Sequence, residues 1–419
     1  MDRTQSTTLM EVLTQVPDYR KRKGRQHRWL TLLSLIAAAM ASAQHTPQAI
    51  ARWVREQRAD RFAALPPTVS RLPSGSTIRR TLARLDVTAL ETALAAFQPP
   101  AAPVPTPMLP AAPVPTPPAP IPFQGLALDG NAVRGVGRAG HPCHLVALVQ
   151  HGNARVLGHV EVAHKRDERS AVPELLHGRA LAGTVLPADA LHTLRPTARH
   201  IRAQNGHYLM IVKKTQAALD TYLDMLFTLP AHPADHEVWD TVGPTTEKGH
   251  GRRETRRLTC GNAHIADVDW PDVRHVVRRE CERRMLKTGK RTCEVTYGLV
   301  SLPPEEAGAA TIAALWRGHW TIDNRLHYVR DGSLSEDAGH AAQGTTAHAL
   351  AALRTGLLML FRQAHWSSVP DALAQYGASV ARACALIGRE VKTETALLIA
   401  RAEVKPAICP QMHATDRRL

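Results

Sequence analysis

Between Trp316 and Arg330 the sequence sets out a row of side chains that could do chemistry. Ile312, Leu315, His319, Ile322, Leu326 and Val329 recur at steps of three and four, the mark of an amphipathic helix. At about 100° per residue, Trp316, His319, Asp323, His327 and Arg330 fall within roughly 80° of one another. One helical face would then present a carboxylate flanked by two imidazoles and a guanidinium. Such a set is a candidate constellation for chemistry. It also fits a helix packed by Trp316 and Trp320 whose surface charges are satisfied locally. Two further acids, Asp129 and Asp189, each close a short apolar run. An aspartate at the end of such a run is, on its own, more often a turn or cap residue than a ligand.

The elements that would position these acids can be read from periodicity. Leu126-Ala127-Leu128 runs into Asp129-Gly130. His144 to Val149 and Val156 to Val162 follow as β-rich runs, joined by a turn near His151-Gly152-Asn153. A helix fits Ser170 to His177, a strand Thr184 to Ala188 ending at Asp189, a helix Pro196 to Gln204, and a fifth strand Tyr208 to Val212. Three strands, helix, strand, helix, strand is the order of the RNase H-like fold, which places carboxylates at the ends of its first and fourth strands. The expected fold class is therefore α/β, an RNase H-like domain over 124–385 with a β-rich insertion at about 215–310.

A small all-α unit precedes it over 1–98. Thr46-Pro47 opens a helix through Ile50, Trp53 and Val54, with proline at a permitted early position. Ser74 or Ser76 can cap a basic helix, Thr77 to Leu85, that bears Arg79, Arg80 and Arg84, and Asp86 can cap a third. The apolar run Trp29 to Ala41 follows basic residues and imitates a secretory signal, but it lies far from Met1 and is too short to span a bilayer. It reads as a core helix. Residues 99–123 form a proline-rich linker with a tandem repeat, Ala101 to Pro107 recurring as Ala111 to Pro117. Alternating prolines favour extended polyproline II, so the helical unit is expected to move independently on a semi-rigid tether. Residues 386–419 read as a C-terminal tail.

The chain has 419 residues, of which 52 are Lys or Arg and 37 Asp or Glu, a formal charge of +15. That excess points to a polyanionic partner such as nucleic acid, because neutralising phosphates releases condensed counterions. An arginine-rich composition shared with a whole proteome would look the same. Six scattered cysteines, with no Cys-x-x-Cys pair, read as reduced thiols of a cytoplasmic protein.

The run Arg317-Gly318-His319-Trp320-Thr321-Ile322-Asp323-Asn324-Arg325-Leu326-His327 resembles the signature around the last catalytic acid of DDE-type transposases of bacterial insertion sequences, in their H-repeat-associated branch. Leu128-Asp129-Gly130 with Arg134-Gly135, Ala188 to Thr193, and His250 to Arg256 match further motifs in the same order. Val16-Pro17-Asp18-Tyr19-Arg20 and Ser76 to Arg80 resemble the associated helical domain. The resemblance implies metal-dependent cleavage of transposon ends and strand transfer into target DNA, with Asp129, Asp189 and Asp323 as catalytic metal ligands. It implies two Mg²⁺ ions, replaceable by Mn²⁺, and terminal inverted repeats and target duplex as partners, bound by a homodimer. Lys213, Arg252, Arg256, His319, Arg330, Arg79 and Arg80 are the expected DNA contacts. The chain departs from the family pattern in having Asp323 where Glu is usual and Asn131 where Lys is usual. It also lacks the glycine in Val212-Lys213-Lys214-Thr215-Gln216, has Pro187 within the fourth strand, and differs at Gly332 and Leu334 while keeping Glu336-Asp337. Glu336 is a second candidate for the third acid. The departures set up an alternative expectation: a catalytically degraded or domesticated transposase that acts as a DNA-binding protein.

Overall fold

The computed structural model describes residues 8–23, 25–62, 71–97, 123–138, 141–164, 167–228, 240–249, 251–261, 268–337 and 344–388. The proline-rich linker and the tail from 389 onward lie outside the described residues. Strands β1 (Gln124–Arg138), β2 (His141–Gln150), β3 (Val156–Val162), β4 (Thr184–Ala188) and β5 (His207–Val212) stand side by side in the order 3-2-1-4-5. β1, β2 and β3 are antiparallel, while β1, β4 and β5 run parallel. Helices α6 (Glu168–Leu176) and α7 (Arg195–Ala203) carry the chain from β3 to β4 and from β4 to β5. The expected α/β order is present. Strands β6 (Asp240–Gly249), β7 (Arg252–Gly261), β8 (His275–Met285) and β9 (Arg291–Val300) continue the same sheet outward from β5, β9 pairing antiparallel with it.

The largest difference from the sequence reading of the strands is at β1. β1 does not end at Asp129 but runs on to Arg138. Its ladder to β4 holds at Gln124 and Gly125, whereas its pairing with β2 continues past Val133. Beyond Gly125 the β1–β2 pair leaves the parallel sheet as a ribbon, so Asp129 stands where β1 parts from β4. The same divergence explains how Pro187 is tolerated in a central strand. The ladder from β1 has stopped at Val185, leaving β4 one flank on which a missing N–H costs no sheet hydrogen bond.

Side chains alternate across the sheet as a period of two requires. Leu126, Leu128, Val146 and Leu148 pack with α6, α7 and α8 (Ala217–Thr228). Ala127, Leu145, Ala147 and Val149 face the other way, against helices drawn from both ends of the chain. These are α1 (Leu9–Thr14), α2 (Trp29–Ala41), α3 (Pro47–Glu56), α4 (Gly75–Ala83) and α5 (Val87–Ala96), together with α11 (Thr346–Gln363), α12 (Val369–Gly377) and α13 (Val380–Ile387). Thr46, Ser74 and Asp86 cap α3, α4 and α5 as expected. The signal-like run is the core helix α2, buried from Thr31 to Ala41. The expectation of an independently moving N-terminal domain is corrected here. Leu9, Leu90, Leu94 and Phe97 share one core with Leu350, Leu357 and Phe361, and Thr345 Oγ1 donates to the carbonyls of Leu82 and Leu85, each at 3.1 Å. The apolar faces of these helices are covered by α11 as well as by one another.

The helix expected to run unbroken to Arg330 is in pieces. α9 (Ala309–Gly318) packs on Val185, Leu209, Val277 and Val300. After a tight turn at His319-Trp320 comes a single π-helical turn, Asp323–His327, and then α10 (Tyr328–Asp331). A π turn inserts one residue into the helical register, which rotates everything downstream by about 100°. Arg330 therefore leaves the stripe and is fully buried. Its Nε donates to Glu336 Oε2 at 2.8 Å and its Nη1 lies 3.1 Å from His159 Nε2. Arg354 Nη1 donates to Glu336 Oε1 at 3.1 Å. Arg330 is thus not a DNA contact, and Glu336, committed to two guanidinium groups, is not the third acid of the site. Removing one partner of a buried ion pair strands the other, at a cost of about 3–5 kcal/mol. Glu336→Gln should lower unfolding stability by about that amount in urea titrations; an unchanged midpoint would refute this account of the network.

Candidate active site

The approach of α9 to β1 is set by one imidazole. His151, in the turn between β2 and β3, is wedged between Gly125 and Gly318, and a Cβ on either glycine would fall inside its ring. The glycine of Arg317-Gly318-His319 is therefore a close-approach position, needed for its missing side chain. Burial, with His319 close by, pushes the His151 ring down to about 4, so it fills this gap uncharged near neutral pH. Arg325 donates to the carbonyl of Gly152 in the same turn, which ties the π-helical segment to it. A third glycine acts in a similar way. At Gly130 a Cβ would collide with the carboxyl of Glu168, the buried first residue of α6.

Within this frame Asp129 and Asp323 meet. One donor atom from each of Asp129, Asp323 and His327 lies within 4.8 Å of the others. His327 Nδ1 is 3.5 Å from Asp129 Oδ2 and 3.9 Å from Asp323 Oδ1. The Asp129 side chain is 30 % exposed and that of Asp323 55 %. Asp189 follows β4 directly, and its Oδ1 accepts from the backbone N–H groups of Leu191 and His192 at 3.0 and 3.1 Å. It stands outside the cluster of three but near enough to act on it. Burial chiefly, with the negative charges of Asp323 and Asp189 adding to it against the opposing effect of His327, raises the Asp129 carboxyl to about 6. His319 is buried beside Asp189 and Asp323 and hydrogen-bonds the backbone of Pro187, which can offer only its carbonyl. Burial lowers its pKa, and Lys213 acts in the same direction, which puts the exposed Lys213 near the acids.

Beyond Asp323 opens a cleft of about 450 Å³. The β6–β7 hairpin walls one side through Glu247, Arg252, Glu254 and Arg256, and the helix walls the other through Arg317, Trp320 and Asn324. The expected phosphate contacts Arg252 and Arg256 are both in this wall, but each already has a carboxylate. Arg252 Nε lies 2.6 Å from Glu254 Oε1, Arg256 pairs with Glu254 and Glu247, and Arg317 pairs with Glu247 at 2.6 Å. Arg79 and Arg80 are exposed on α4. The sequence motif around Tyr19 is a local lock rather than part of the site: Asp18 chelates Arg20, which lies over Trp29, and Tyr19 packs edge-on to the same ring. Spacing alone left three features unassigned. They are the partnership of His327 with both acids, the buried Glu168 flanked by His144 and His192 at 3.8 Å each, and Arg279 stacked over Trp316 and Trp320. The alternation of β8, which turns Arg279 to the same face as Arg256, was the available signal for the last.

Residues 120–360 match the family described as Transposase DDE domain, and residues 10–98 match a domain described as DDE_Tnp_1-associated. The chain is 23% identical over 360 residues to "Putative transposase YncI" of Escherichia coli O157:H7, covering 85% of this chain and 87% of that protein. It is 25% identical over 237 residues to "H repeat-associated putative transposase YhhI" of Escherichia coli strain K12, covering 55% and 61%. Among solved structures, a piggyBac transposase synaptic complex with hairpin DNA aligns over 98% of this chain and 83% of its own, at 9% identity and a TM-score of 0.43.

Two outcomes follow from the geometry. Because Asp129 titrates near 6 when folded and near 4 when unfolded, the folded state holds the proton more tightly. Its ionisation costs stability progressively as pH rises from about 4 to 6. Asp129→Asn should therefore raise the unfolding free energy of the cation-free protein at pH 8 by an amount on the order of 1–2 kcal/mol, with the difference vanishing below about pH 4. A gain that persists at low pH would mean that charge burial is not its source. Gly318→Ala should cost about 1–3 kcal/mol by overpacking His151. His151→Ala in the same chain should recover part of that loss, and strictly additive losses would break the proposed wedge.

Proposed function

Since the chain belongs to the transposase family defined by the Transposase DDE domain, we propose that it cuts the ends of a mobile DNA element and joins them to target DNA. Asp129, Asp189 and Asp323 are the metal-binding acids in this reading. The observation that carries it is the meeting of Asp129 and Asp323 beside Asp189, at the mouth of an arginine-walled cleft. The donor set fits a divalent cation: carboxylate oxygens and one imidazole nitrogen converge, and the half-exposed Asp323 keeps the cluster open to the cleft. When bound, Mg²⁺ or Mn²⁺ would activate the attacking oxygen and stabilise the leaving one in phosphodiester displacement, with two ions expected at the site.

The protein's own part is to hold and orient. Water attacks the phosphorus at the element's end, and the 3′-hydroxyl leaves. That hydroxyl then attacks a target phosphodiester, displacing the target's 3′-oxygen. Lys213, Arg252 and Arg256 hold phosphates along the cleft, with Arg256 trading some of its contact with Glu247 for the DNA. Arg79 and Arg80 hold the backbone farther out. His319, buried near Asp189 and Asp323, does not itself reach DNA. Double-stranded terminal repeats and target DNA are the partners, a homodimer pairs the two ends, and the setting is cytoplasmic. Among the described residues no helix is long and apolar enough to cross a membrane. The division into a helical unit at 1–98, a linker at 99–123 and a catalytic unit at 124–385 with its insertion at about 215–310 belongs to this proposal.

The test is cleavage of a labelled DNA end, taken from the gene's own flanks, with Mg²⁺ or Mn²⁺. Metal-dependent nicking should appear with the wild type and fall to background with Asp189→Ala. Tight binding without nicking in either metal would overturn the enzyme reading in favour of a DNA-binding descendant.

A further inference from the structure

We propose that His327 is itself a metal ligand, its Nδ1 binding the cation held by Asp129 and Asp323 and making a mixed oxygen–nitrogen site that favours Mn²⁺ over Mg²⁺. The inference rests on reading this cluster as the cation centre, and it goes further by adding a ligand of a different class from the three acids.

Three observations carry it. The first is distance. Nδ1 lies 3.5 Å from Asp129 Oδ2 and 3.9 Å from Asp323 Oδ1, beyond the usual hydrogen-bond range of about 2.7–3.2 Å. Donors that share one ion at about 2.1 Å stand roughly 3.0–3.4 Å apart. The His327–Asp129 separation needs to contract by a few tenths of an ångström to reach that range, and the His327–Asp323 separation by about half an ångström or more. The second is burial. His327 is 7% exposed, its Nδ1 edge faces the two acids, and its Nε2 is buried with no hydrogen-bond partner among the described residues. With the ring proton on Nε2, the Nδ1 lone pair is directed to the acids. The third is the helix itself. Asp323 and His327 are the first and last residues of the π turn. The inserted residue turns Arg330 into the core, yet it leaves Asp323 and His327 together, because both lie within the turn and not on opposite sides of it.

Asp189 is differently placed. One of its oxygens already accepts two backbone hydrogen bonds, which leaves the other for a cation. Asp129, Asp323 and His327 would then form the inner set for one ion, with Asp189 contributing from the β4 side. A nitrogen donor changes selectivity, since imidazole suits first-row transition ions whereas Mg²⁺ takes oxygen almost alone.

The experiment is pulsed electron paramagnetic resonance on the full chain loaded with Mn²⁺. The expected spectrum shows nitrogen coupling from a directly bound imidazole. That coupling should change to the ¹⁵N pattern when the protein is grown with ¹⁵N-histidine, which requires no substitution and so no assumption about folding. His327→Gln should abolish it and weaken Mn²⁺ binding by about tenfold or more, with a smaller effect on Mg²⁺, while His319→Gln retains the coupling. Bound Mn²⁺ without nitrogen coupling would overturn the ligand assignment and leave the cation centre standing. Coupling that survives His327→Gln but disappears in His319→Gln would overturn it in favour of the other imidazole. No Mn²⁺ bound at millimolar concentration would overturn the inference together with the reading on which it rests.

Discussion

The helix that carries Asp323 has to satisfy two surfaces at once. Its first half must lie on the sheet, close enough to β1 for Asp323 to reach Asp129, and its last residues must bury a guanidinium among helices from both ends of the chain. A regular α-helix would put Asp323 and Arg330 on one face, so it could not do both. The single π turn resolves the conflict by shifting the register between them. What holds the shifted end is the chain of contacts from Glu91 through His159 to Arg330, and from Arg330 through Glu336 to Arg354. These members come from α5, β3, the end of the site helix, the loop after it and α11. Burying such charges is costly unless each has its partner. The network therefore acts less as a source of stability than as a requirement that the N-terminal helices, the sheet and the C-terminal helices all be docked before the site helix is correctly turned.

The local features of the site follow from that placement. With the helix end fixed, its middle can be brought onto β1 by the thickness of one uncharged imidazole, which is what Gly125, His151 and Gly318 provide. The same closeness gives the cluster its electrostatic character. Asp129 is half-buried near two other acids, and the nearby imidazole offsets this only in part, so its carboxyl is held well above the ordinary range. A cation would relieve that strain. The wall of the cleft is tuned in the opposite sense: Arg252, Arg256 and Arg317 share Glu247 and Glu254, so the guanidinium groups are held in fixed directions with little surplus charge. An incoming phosphate would compete with those carboxylates, a condition that favours a ligand making several contacts at once.

How much of this could be read from the sequence varies with the range of the interaction. Strands β3 and β4 matched to the residue, and the caps Thr46, Ser74 and Asp86 held, because alternation and capping are local properties of the chain. Asp129 and Asp323 could be named from the sequence as candidates for one site, and the structure brings their carboxylates together. Arg330 was misread because angular arithmetic assumes 3.6 residues per turn, and nothing in Asp323-Asn324-Arg325-Leu326-His327 announces an extra residue. The shared core of the two chain ends was equally invisible. Periodicity shows that a helix has an apolar face, but not that α11 rather than its neighbours will cover it. The insertion was seen as a block of β-rich sequence, yet its continuity with β5 depends on the pairing of Leu209 with Val300, residues too far apart for any local pattern to join.

The departures from the family pattern gain a different meaning when each is followed to its partner. Asn131, where a lysine is usual, donates to Asp331 Oδ1 at 3.3 Å at the end of the site helix. Pro187, awkward in a central strand, supplies the carbonyl that orients His319. Gln216, two residues beyond Lys214, which stands where a glycine is usual, donates to the carbonyl of Thr193 at 2.7 Å, on the turn that Asp189 begins. Leu334, beyond Gly332, is fully buried, and its carbonyl accepts from Arg354. Asp323, a methylene shorter than glutamate, stands with His327 on the same side of the cluster. Accumulated damage would be expected to leave such positions with unmet polar groups or cavities, each costing about 1–3 kcal/mol. Asn131, Pro187 and Leu334 are each joined to another part of the site. Those three positions therefore read as accommodated within the fold rather than as gaps in it.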